Sequence, residues 1–315
     1  MRTPVTVTAQ DIRRVATWPM VVEAIRDGHR LPKAHIGDTF VHGGGNTMLV
    51  RSAWIEGLAA GVKAATVVPK NPDRGMPSVH AQIMLFDPDT GELAALVDGT
   101  EVTAWKTAAD SGLGCDLLSR EDAKTLLMVG AGAMAEPLIC AHLSVRPSLT
   151  NILLWNRSTA RVEALSQRLE DLSQSVEIVD SVEVGAARAD IICCATMSAT
   201  PVLQGAWVPT GCHVDLVGAF KPDMREADDD LHCRASWFVD SYDTTLDHIG
   251  ELKIPLAEGV IDRDAVKGDL HALVAGDAGR SSPDEITVFK NGGGAHLDIM
   301  VSDALVKAVA EQSTS

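Results

Sequence analysis

The sequence predicts an α/β fold: a doubly wound, Rossmann-type parallel sheet, together with an α+β region whose sheet is mostly antiparallel. The first observation is the glycine-rich segment 125–135, which follows a short apolar run and precedes a helical pattern. The second is the alternation of short apolar or β-branched runs with helical patterns beyond residue 126, which is typical of parallel sheets. The third is a set of strand patterns in the first 110 residues, separated by turns such as residues 88–91, as hairpins require.

The amino-terminal region opens with a helical pattern and continues as strands. We predict strands near residues 39–40, 46–50, 61–68, 78–86 and 93–98. A helix near residues 104–118 should link this region to the parallel sheet. Residues 298–310 also have a helical pattern, and we expect them to pack back on the amino-terminal region.

The parallel sheet should be built from the alternating elements that follow. Residues 243–268 are predicted as a helical excursion with loops, and residues 228–230 as a solvated acidic turn. The predicted strands are 126–129, 152–155, 176–178, 190–194, 213–217 and 236–239, and the predicted helices are 135–145, 160–172 and 182–187.

Composition excludes several classes of protein. A chain of 315 residues is long enough for two domains, and its net charge of −16 argues against a nucleic-acid partner. No apolar run approaches the roughly 18 residues of a membrane span, and the first residues lack a signal pattern. We therefore expect a cytoplasmic protein that binds no membrane. The six cysteines have neither C-x-x-C nor zinc spacing, so we predict reduced, mostly structural thiols and no metal site.

The glycine-rich turn is a candidate dinucleotide site. Its Gly-x-Gly-x-x-Ala spacing lets the backbone approach a pyrophosphate, which then lies at the N-terminus of the next helix. The alternative is a glycine-rich turn without a ligand. Because ligands of such sheets collect at the carboxyl ends of the strands, residues after the fourth and fifth strands should line the nicotinamide. The predicted cofactor contacts in these loops are Gly130, Gly132, Ala133, Met134, Thr196, Met197, Val217 and Gly218.

The residues after the second strand of the sheet indicate which cofactor binds. An NAD site usually has an acidic residue there, whereas this chain has Asn156, Arg157 and Ser158. A guanidinium suits a phosphate and can stack on adenine. We predict NADP(H), held at its adenosine phosphate by these three residues, with NAD(H) as the weaker alternative. The competing interpretation of Arg157 is a solvated residue that begins a helix.

An ordered set of short motifs resembles the ornithine cyclodeaminase/μ-crystallin family. The resemblance implies a dimerising substrate domain (residues 1–113, completed by helix 296–315) and an NADP-binding Rossmann domain (residues 114–295). It also implies an active site between them, a homodimer, and action on small α-amino or α-imino acids. The motifs include Gly61-Val62-Lys63, Gly75-Met76-Pro77-Ser78, Thr103-Ala104-Trp105-Lys106-Thr107, the glycine-rich turn, Val217-Gly218, Arg225-Glu226 and Ile286-Thr287-Val288-Phe289-Lys290.

The resemblance also assigns roles to individual residues. Lys63 matches the active-site lysine, which can bind a substrate carboxylate or protonate an imine nitrogen. The alternative is a surface lysine, but the apolar neighbours of Lys63 favour burial. Lys106 stands where the family usually has a carboxylate-binding arginine, and it makes a point contact instead of a bidentate one; its alternative is a helix-surface lysine. We also assign Ser78, Lys33 and Gly293 to the substrate site and Thr107 to the cofactor site.

Position 220 separates the activities within the family. Cyclodeaminases have a catalytic aspartate there, whereas this chain has Phe220, unless Asp223 takes its place. The chain therefore resembles the ketimine-reductase branch. We expect NADPH-dependent reduction of Δ1-pyrroline-2-carboxylate to L-proline, with Δ1-piperideine-2-carboxylate to L-pipecolate as a second reaction. The alternatives are ornithine cyclodeamination, amino-acid dehydrogenation, and a non-enzymatic NADPH-linked binding protein such as μ-crystallin.

Three histidines are further candidates for the site. His296 lies just after the triple glycine 292–294, a segment in which the family usually has fewer glycines, and it is a candidate proton donor. His35 and His80 are candidates to face the substrate. The alternative for each is a structural histidine.

Overall fold

The computed structural model describes residues 3–313, so residues 1, 2, 314 and 315 of the predicted substrate domain lie outside the described residues. The chain forms two compact units. The first contains the chain up to Ala109 together with the segment from Gly294 onward, and the second is Asp110–Gly293. No helix among the described residues is long and apolar enough to cross a membrane.

The first unit contains a six-stranded sheet. Its strand order is β1-β6-β5-β4-β3-β2, and every pair is antiparallel except β1 with β6. The strands are β1 (Val5–Val7), β2 (His35–Gly43), β3 (Asn46–Ile55), β4 (Ala59–Val67), β5 (Val79–Phe86) and β6 (Leu93–Asp98).

Helices cover one face of this sheet. Thr8 caps α1 (Ala9–Val15) through a capping box, and Thr17 caps α2 (Trp18–His29). The last helix, α11 (Ala295–Ser313), packs on β4, β3 and α2. The packing is close, because a Cβ on Gly61 would lie 2.3 Å from the Ile299 side chain. Helix α3 (Gly99–Leu118) begins in this unit and ends in the second.

The second unit contains an eight-stranded parallel sheet in the order β13-β12-β14-β11-β10-β7-β8-β9. From β7 to β9 each new strand is added on one side of β7, whereas β10 and β11 are added on the other side. The loops after β7 and β10 therefore run in opposite directions and leave a crevice at the carboxyl ends of these two strands. The strands are β7 (Thr125–Val129), β8 (Asn151–Trp155), β9 (Ser175–Ile178), β10 (Ile191–Cys194), β11 (His213–Leu216), β12 (Ser236–Val239), β13 (Val266–Gly268) and β14 (Thr287–Lys290).

The helices of the second unit connect these strands. Fully buried apolar side chains such as Leu127, Val129 and Val214 form the core of this unit. The helices are α4 (Ala135–Val145), α5 (Thr159–Arg168), α6 (Val182–Ala186), α7 (Asp229–Arg234), α8 (Tyr242–Thr245), α9 (Gly250–Glu258) and α10 (Leu270–Ala275), with short 3₁₀ turns at Asn71–Arg74 in the first unit and at Gly205–Trp207 and Arg263–Ala265 in the second.

The predicted fold class is confirmed, with corrections to individual elements. Strands β1, β13 and β14 have only three or four residues and were not predicted as strands. Helix α5 ends at Arg168, four residues before its predicted end. The predicted acidic turn 228–230 is wrong: Asp228 caps helix α7, which begins at the next residue, because its carboxylate accepts the Leu231 N–H.

Candidate functional site

Lys63 lies on β4 with its ammonium group buried. The residue is 8% exposed, and its Nζ donates hydrogen bonds to Asp298 Oδ1 at 2.9 Å and to Thr103 Oγ1 at 2.7 Å. Thr103 in turn donates to the Gly99 carbonyl at 2.6 Å, so its hydroxyl hydrogen is already committed and its oxygen must accept from Lys63. The predicted burial of Lys63 is therefore confirmed, and its orientation is fixed by two partners.

Burial lowers the pKa of Lys63, because a desolvated ammonium is less stable than a solvated one. The negative charge of Asp298 opposes this shift, whereas the positive charges of Lys106 and Arg51 add to it. Lys63 is therefore an acid that gives up its proton more readily than a surface lysine does.

Lys106 is also buried, at 5% exposure, on α3. Among the residues that the structure describes, none forms an ion pair or a hydrogen bond with its ammonium. The helix-surface interpretation is therefore wrong. A buried ammonium without a carboxylate is costly, so Lys106 favours an anion from outside the chain.

Arg51 adds a third cation to this region. It lies directly opposite Lys63 on the neighbouring strand β3, and its guanidinium pairs with Asp38 at 2.8 Å. We refer to Lys63, Lys106, Asp298 and Thr103 as the lysine cluster. It contains two ammonium groups and one carboxylate, so the cluster carries a net positive charge that suits an anionic ligand.

Helix α11 supplies the carboxylate of the lysine cluster. Gly61 precedes Lys63 by two residues on β4, so it lies on the same face of the sheet. Because Gly61 has no Cβ, the helix can approach this face at Ile299, the residue after Asp298. Asp298 was not predicted as a site residue, although it is the first residue of the helical pattern predicted over residues 298–310.

The other predicted substrate residues make none of the cluster's hydrogen bonds. Ser78 precedes β5, and its carbonyl accepts the Val68 N–H at 2.7 Å. Lys33 is exposed between α2 and β2. In the second unit, Gly293 has a φ of +69° and donates its N–H to Asp240.

The three candidate histidines differ in exposure. His35 on β2 and His80 on β5 are exposed. His296 is buried at the start of α11, where its ring meets that of His29 edge to face with centroids 5.7 Å apart. This packing agrees with a structural role for His296.

In the second unit, the loop after β7 has the geometry of a phosphate-binding turn. Gly130 has a φ of +116°, and a Cβ there would lie 2.7 Å from the Ala195 carbonyl oxygen, so only glycine fits. A Cβ on Gly132 would meet no atom within 4 Å, so this side of the loop is open to a ligand. The Ala131 N–H donates to Asn156 Oδ1 at 3.2 Å, and the Asn156 amide donates to the Ser158 carbonyl. Asn156 thus ties this loop to the one after β8.

The N-terminus of α4 is uncapped by side chains. Its N-cap residue is Met134, which provides no side-chain hydrogen bond. The first N–H groups of the helix can therefore bind an anion such as a pyrophosphate. Together with the open face at Gly132, this arrangement fits the diphosphate of a dinucleotide.

A cavity of about 660 Å³ lies beside this turn. It contains two guanidinium groups, Arg157 and Arg161, and no carboxylate. Neither guanidinium has an ion-pair partner within residues 3–313. The sequence analysis missed Arg161, which lies one helical turn beyond Arg157 and also lines a neighbouring cavity at Gly132. The cavity is lined by Trp155, Asn156, Arg157, Ser158, Arg161, Thr196, Met197, Ser198, Ala199, Thr200 and Val202.

A buried carboxylate joins the loops after β10 and β11. Glu226 Oε1 accepts the Thr196 N–H at 2.7 Å and the Thr196 hydroxyl at 2.6 Å. Its Oε2 accepts the N–H groups of Gly218 at 2.6 Å and Ala219 at 3.2 Å. Glu226 thus positions two of the predicted nicotinamide-binding residues. The Arg225-Glu226 motif was the sequence signal that could have identified Glu226 as a site residue.

Glu251 supports this arrangement from α9. Its carboxylate accepts the N–H groups of Glu226 and Ala227 at 2.7 and 3.0 Å. Burial, together with the charge of Glu226, raises the pKa of Glu251 to about 7.

The remaining predicted cofactor residues are spread over several elements. Met197 is exposed with a φ of +54°, a conformation rarely adopted by residues other than glycine, and Val217 follows β11 directly, beside Gly218. Ala133 is in the open turn, where it lines the cavity beside Gly132. Thr107 is a half-buried residue of α3 in the first unit.

Position 220 carries no acid. Phe220 is 54% exposed, and the Lys221 ammonium lies 5.6 Å from the centre of its ring. Asp223, the alternative acid, is an exposed residue of the same loop.

A second buried polar cluster lies in the core of the second unit. The Cys193 thiol and the Ser111 hydroxyl donate to Asp215 at 3.1 and 3.0 Å, and His142 Nε2 lies 3.6 Å from the same carboxyl. Burial raises the pKa of both Cys193 and Asp215, so the protonated forms are favoured. Hydrogen bonds to Asp215 thus hold the thiol and the hydroxyl in this group, whereas His142 is held through its Nδ1, which lies 2.8 Å from the Leu138 carbonyl oxygen.

Comparison with known proteins gives concordant results. A family model described as "Ornithine cyclodeaminase/mu-crystallin family" matches residues 33–313. A Delta(1)-pyrroline-2-carboxylate reductase of Paracoccus denitrificans is 48% identical over 295 residues, which cover 93% of each chain. The Delta(1)-pyrroline-2-carboxylate reductase of Thermococcus litoralis, solved with NADH and L-proline, superposes with a TM-score of 0.91 at 29% identity and covers 98% of each chain. The iminosuccinate reductase of P. denitrificans, solved with NAD⁺, has a TM-score of 0.93 at 28% identity, covering 99% of this chain and 98% of that one.

Proposed function

Because the chain belongs to the ornithine cyclodeaminase/mu-crystallin family, we propose that it is an NADPH-dependent reductase of a cyclic α-imino acid. The proposed reaction converts Δ1-pyrroline-2-carboxylate to L-proline, with Δ1-piperideine-2-carboxylate as a second substrate. The names of its relatives support this substrate class. The single observation that carries the proposal is that Lys106, 5% exposed and without an ion-pair partner among the described residues, lies near the buried, hydrogen-bonded ammonium of Lys63.

The reaction requires a cation that binds the substrate carboxylate and an acid that protonates the imine nitrogen, and each lysine of the cluster takes one of these roles. Lys106 neutralises the substrate carboxylate, because it has no carboxylate of its own. Lys63 protonates the imine nitrogen, because it is held in place and burial makes it a stronger acid. Ser78, Lys33 and Gly293 complete the proposed substrate contacts. When bound, the reduced nicotinamide supplies the hydride for the imine carbon.

The proposed domain roles follow the same division. Residues 1–113 with 296–315 bind substrate, and residues 114–295 bind the dinucleotide. The cofactor contacts are those predicted in the two glycine-containing loops, with Thr107, and we add Arg161 to them. Phe220 fits this reaction class, since reduction requires no acid at position 220, whereas cyclodeamination does.

The reaction is tested by mixing the purified protein with NADPH and Δ1-pyrroline-2-carboxylate and following absorbance at 340 nm. A parallel arm supplies L-ornithine with NADP⁺ or NAD⁺, which must accept the first hydride of a cyclodeamination, and measures ammonia. We expect rapid NADPH oxidation with stoichiometric L-proline in the first arm, and no ammonia in the second. Ammonia release without net NADPH oxidation would instead identify a cyclodeaminase.

The proposed cofactor is NADP(H) in preference to NAD(H). The cavity offers two unpaired guanidinium groups and no carboxylate to repel a 2′-phosphate. Two relatives were solved with NADH and with NAD⁺, so the experiment must compare binding of both cofactors.

Arginine variants test the cofactor preference. Arg157→Ala and Arg161→Ala should each weaken NADPH binding at least about tenfold while NADH binding changes little, because each loses a charge-assisted hydrogen bond. The matched control is Arg188→Ala, which removes an exposed arginine that pairs with Glu177 outside the cavity. Equal losses for both cofactors would reject the phosphate assignment.

We also propose a homodimer that uses the exposed face of the first unit. All nine residues of edge strand β2 are exposed, and the patch includes Phe40 and Val41 at 57% and Trp54 at 46%. Such an apolar sheet edge is normally covered by another chain. Sedimentation velocity should give twice the chain mass for the wild type and a monomer for Phe40→Glu. A wild-type monomer at micromolar concentration would contradict the proposal.

A cytoplasmic location completes the proposal. All six cysteines are free, which suits a reducing compartment. Fluorescence microscopy of the tagged protein tests this location.

A further inference from the structure

We infer that Asp298 is a positioning residue that keeps Lys63 protonated and aimed, so that Lys63 can deliver its proton during imine reduction. The inference rests on the proposed function and names the group that controls its proton donor. Neither the family match nor the names of the relatives assigns this role.

The first argument is the burial of the pair. The side chains of Lys63 and Asp298 are 10% and 1% exposed, and their charged atoms are 2.9 Å apart. Water therefore screens the attraction little, unlike that of a surface ion pair. A carboxylate placed this deeply is tolerated only when a cation compensates it.

The second argument is the set of charges around Lys63. Strand β3 brings Arg51 and helix α3 brings Lys106, and both destabilise the ammonium form of Lys63. On the other side, β5 places the uncharged Ile83 opposite Lys63. Asp298, from α11, is the one carboxylate within hydrogen-bonding distance of the Lys63 ammonium among the described residues. Without it, burial and two cations would all favour the neutral amine.

The third argument is the geometry of the carboxylate. Asp298 Oδ1 accepts from Lys63, while the buried Oδ2 has no hydrogen-bond partner within the described part of the chain. Among the described residues, Lys63 is thus the one side chain that donates a hydrogen bond to the Asp298 carboxylate. Thr103 holds Lys63 from a second direction, so the ammonium has one N–H left for a ligand.

In this arrangement Lys63 supplies the proton that the reduction consumes. The imine carbon receives the hydride as the π electrons of C=N move to nitrogen, which takes a proton from Lys63. A C–H and an N–H bond form, the π bond and one Lys63 N–H bond break, the imine is reduced and NADPH is oxidised. Lys63 is left as a neutral amine beside Asp298, and the negative charge there favours its reprotonation from solvent.

The experiment compares the pH dependence of kcat/KM in wild type and in Asp298→Asn. Activity requires protonated Lys63, so it falls as pH rises through the pKa of that group. This fall in kcat/KM at high pH is the alkaline limb of the pH profile, and removing the carboxylate should move it to lower pH. At the pH where wild type retains half its maximum, Asp298→Asn should retain less than about a tenth of its own maximum. Asp298→Glu, which keeps the charge, should restore the limb towards its wild-type position.

Two matched controls separate charge from packing. Thr103→Val removes the uncharged partner of Lys63. It should lower kcat but shift the alkaline limb less than Asp298→Asn does. Ser302→Ala changes a fully buried residue one turn further along α11 and should leave the limb in place. If Asp298→Asn does not fold, Asp298→Ala removes the charge without burying an amide.

A second readout does not depend on turnover. Lysine side chains labelled with ¹⁵N are titrated by NMR, and Lys63→Met assigns the Lys63 signal. The signal should titrate at lower pH in Asp298→Asn than in wild type, even if the protein reduces no cyclic imine. An unmoved titration would overturn the inference whatever the activity. A moved titration in a protein inactive towards Δ1-pyrroline-2-carboxylate would overturn the proposed substrate alone.

Discussion

Lys106→Met should weaken the enzyme and stabilise the protein at the same time. Lys106 is 5% exposed, and no carboxylate pairs with it in the part of the chain that the structure describes. In the absence of substrate its charge is therefore a cost, whereas in the proposed reaction it binds the substrate carboxylate. Methionine has a similar volume and no charge, so it removes both effects without opening a cavity.

The two magnitudes can be worked from the structure. A hydrogen bond to a charged group contributes about 1.5–3 kcal/mol, and about 1.4 kcal/mol corresponds to a factor of ten. We therefore expect kcat/KM for Δ1-pyrroline-2-carboxylate to fall about 10- to 100-fold, mainly through KM. Replacing a buried ion pair by apolar groups of similar volume is often neutral or stabilises a protein by about 1–4 kcal/mol. Removing the single charge of Lys106 should act in the same direction and raise the Tm.

The assay measures both quantities on the same preparations. Initial rates are recorded at saturating NADPH, and Tm is measured by calorimetry without ligands. Lys106→Arg should retain activity, since a guanidinium also binds carboxylates. Lys70→Met, at an exposed position of the same unit, is the matched control for losing one positive charge. A Lys106→Met variant with kcat/KM within twofold of wild type, or with a lower Tm, would refute the reasoning.

Three further predictions concern the framework of the two candidate sites. Glu226→Gln places an amide against backbone donors, so we expect a Tm several degrees lower and a KM for NADPH about tenfold higher; unchanged values would deny its positioning role. The raised pKa of Glu251, about 7 against 4.5 in an unfolded chain, means that its contribution to stability is present below about pH 4.5 and lost as pH rises through 7. Urea unfolding between about pH 5 and 8 should therefore show a flatter pH dependence in Glu251→Gln, and an identical slope would contradict this. Gly61→Ala should lower the free energy of unfolding by about 1–3 kcal/mol through overpacking against α11, whereas Gly43→Ala, with open space around it, should not.

The parallel sheet was largely predictable because its signals are local. The glycine-rich turn, the apolar strands and the spacing to Arg157 all lie within about thirty residues, and the structure has the predicted strand–turn–helix there. Strand β13 was missed because three residues carry too short a pattern to distinguish it from a loop. Strand β14 lies beside β11 through pairing at long range in the sequence, which periodicity does not report.

The substrate site was predictable only in part. Lys63 and Lys106 were found through the resemblance and the apolar context of Lys63, and their burial agrees with the assigned roles. Asp298 was not found, because 235 residues separate it from Lys63 and only the packing of α11 on β4 brings the two together. Arg161 was missed for the opposite reason: one arginine on an exposed helix surface is common, and only the shared cavity distinguishes it.

Isotope transfer tests the central claim, that Lys63 supplies the proton to an imine as its carbon accepts a hydride. Wild type and Lys63→Met are each incubated with Δ1-pyrroline-2-carboxylate and NADPH that carries deuterium at the transferred position. Mass spectrometry then locates the label in proline, and fluorescence titration measures NADPH affinity. We predict one deuterium at C2 of L-proline per NADPH oxidised by wild type, and loss of turnover in Lys63→Met with NADPH affinity nearly intact. Proline without deuterium, or a Lys63→Met variant that turns over normally, would contradict the account.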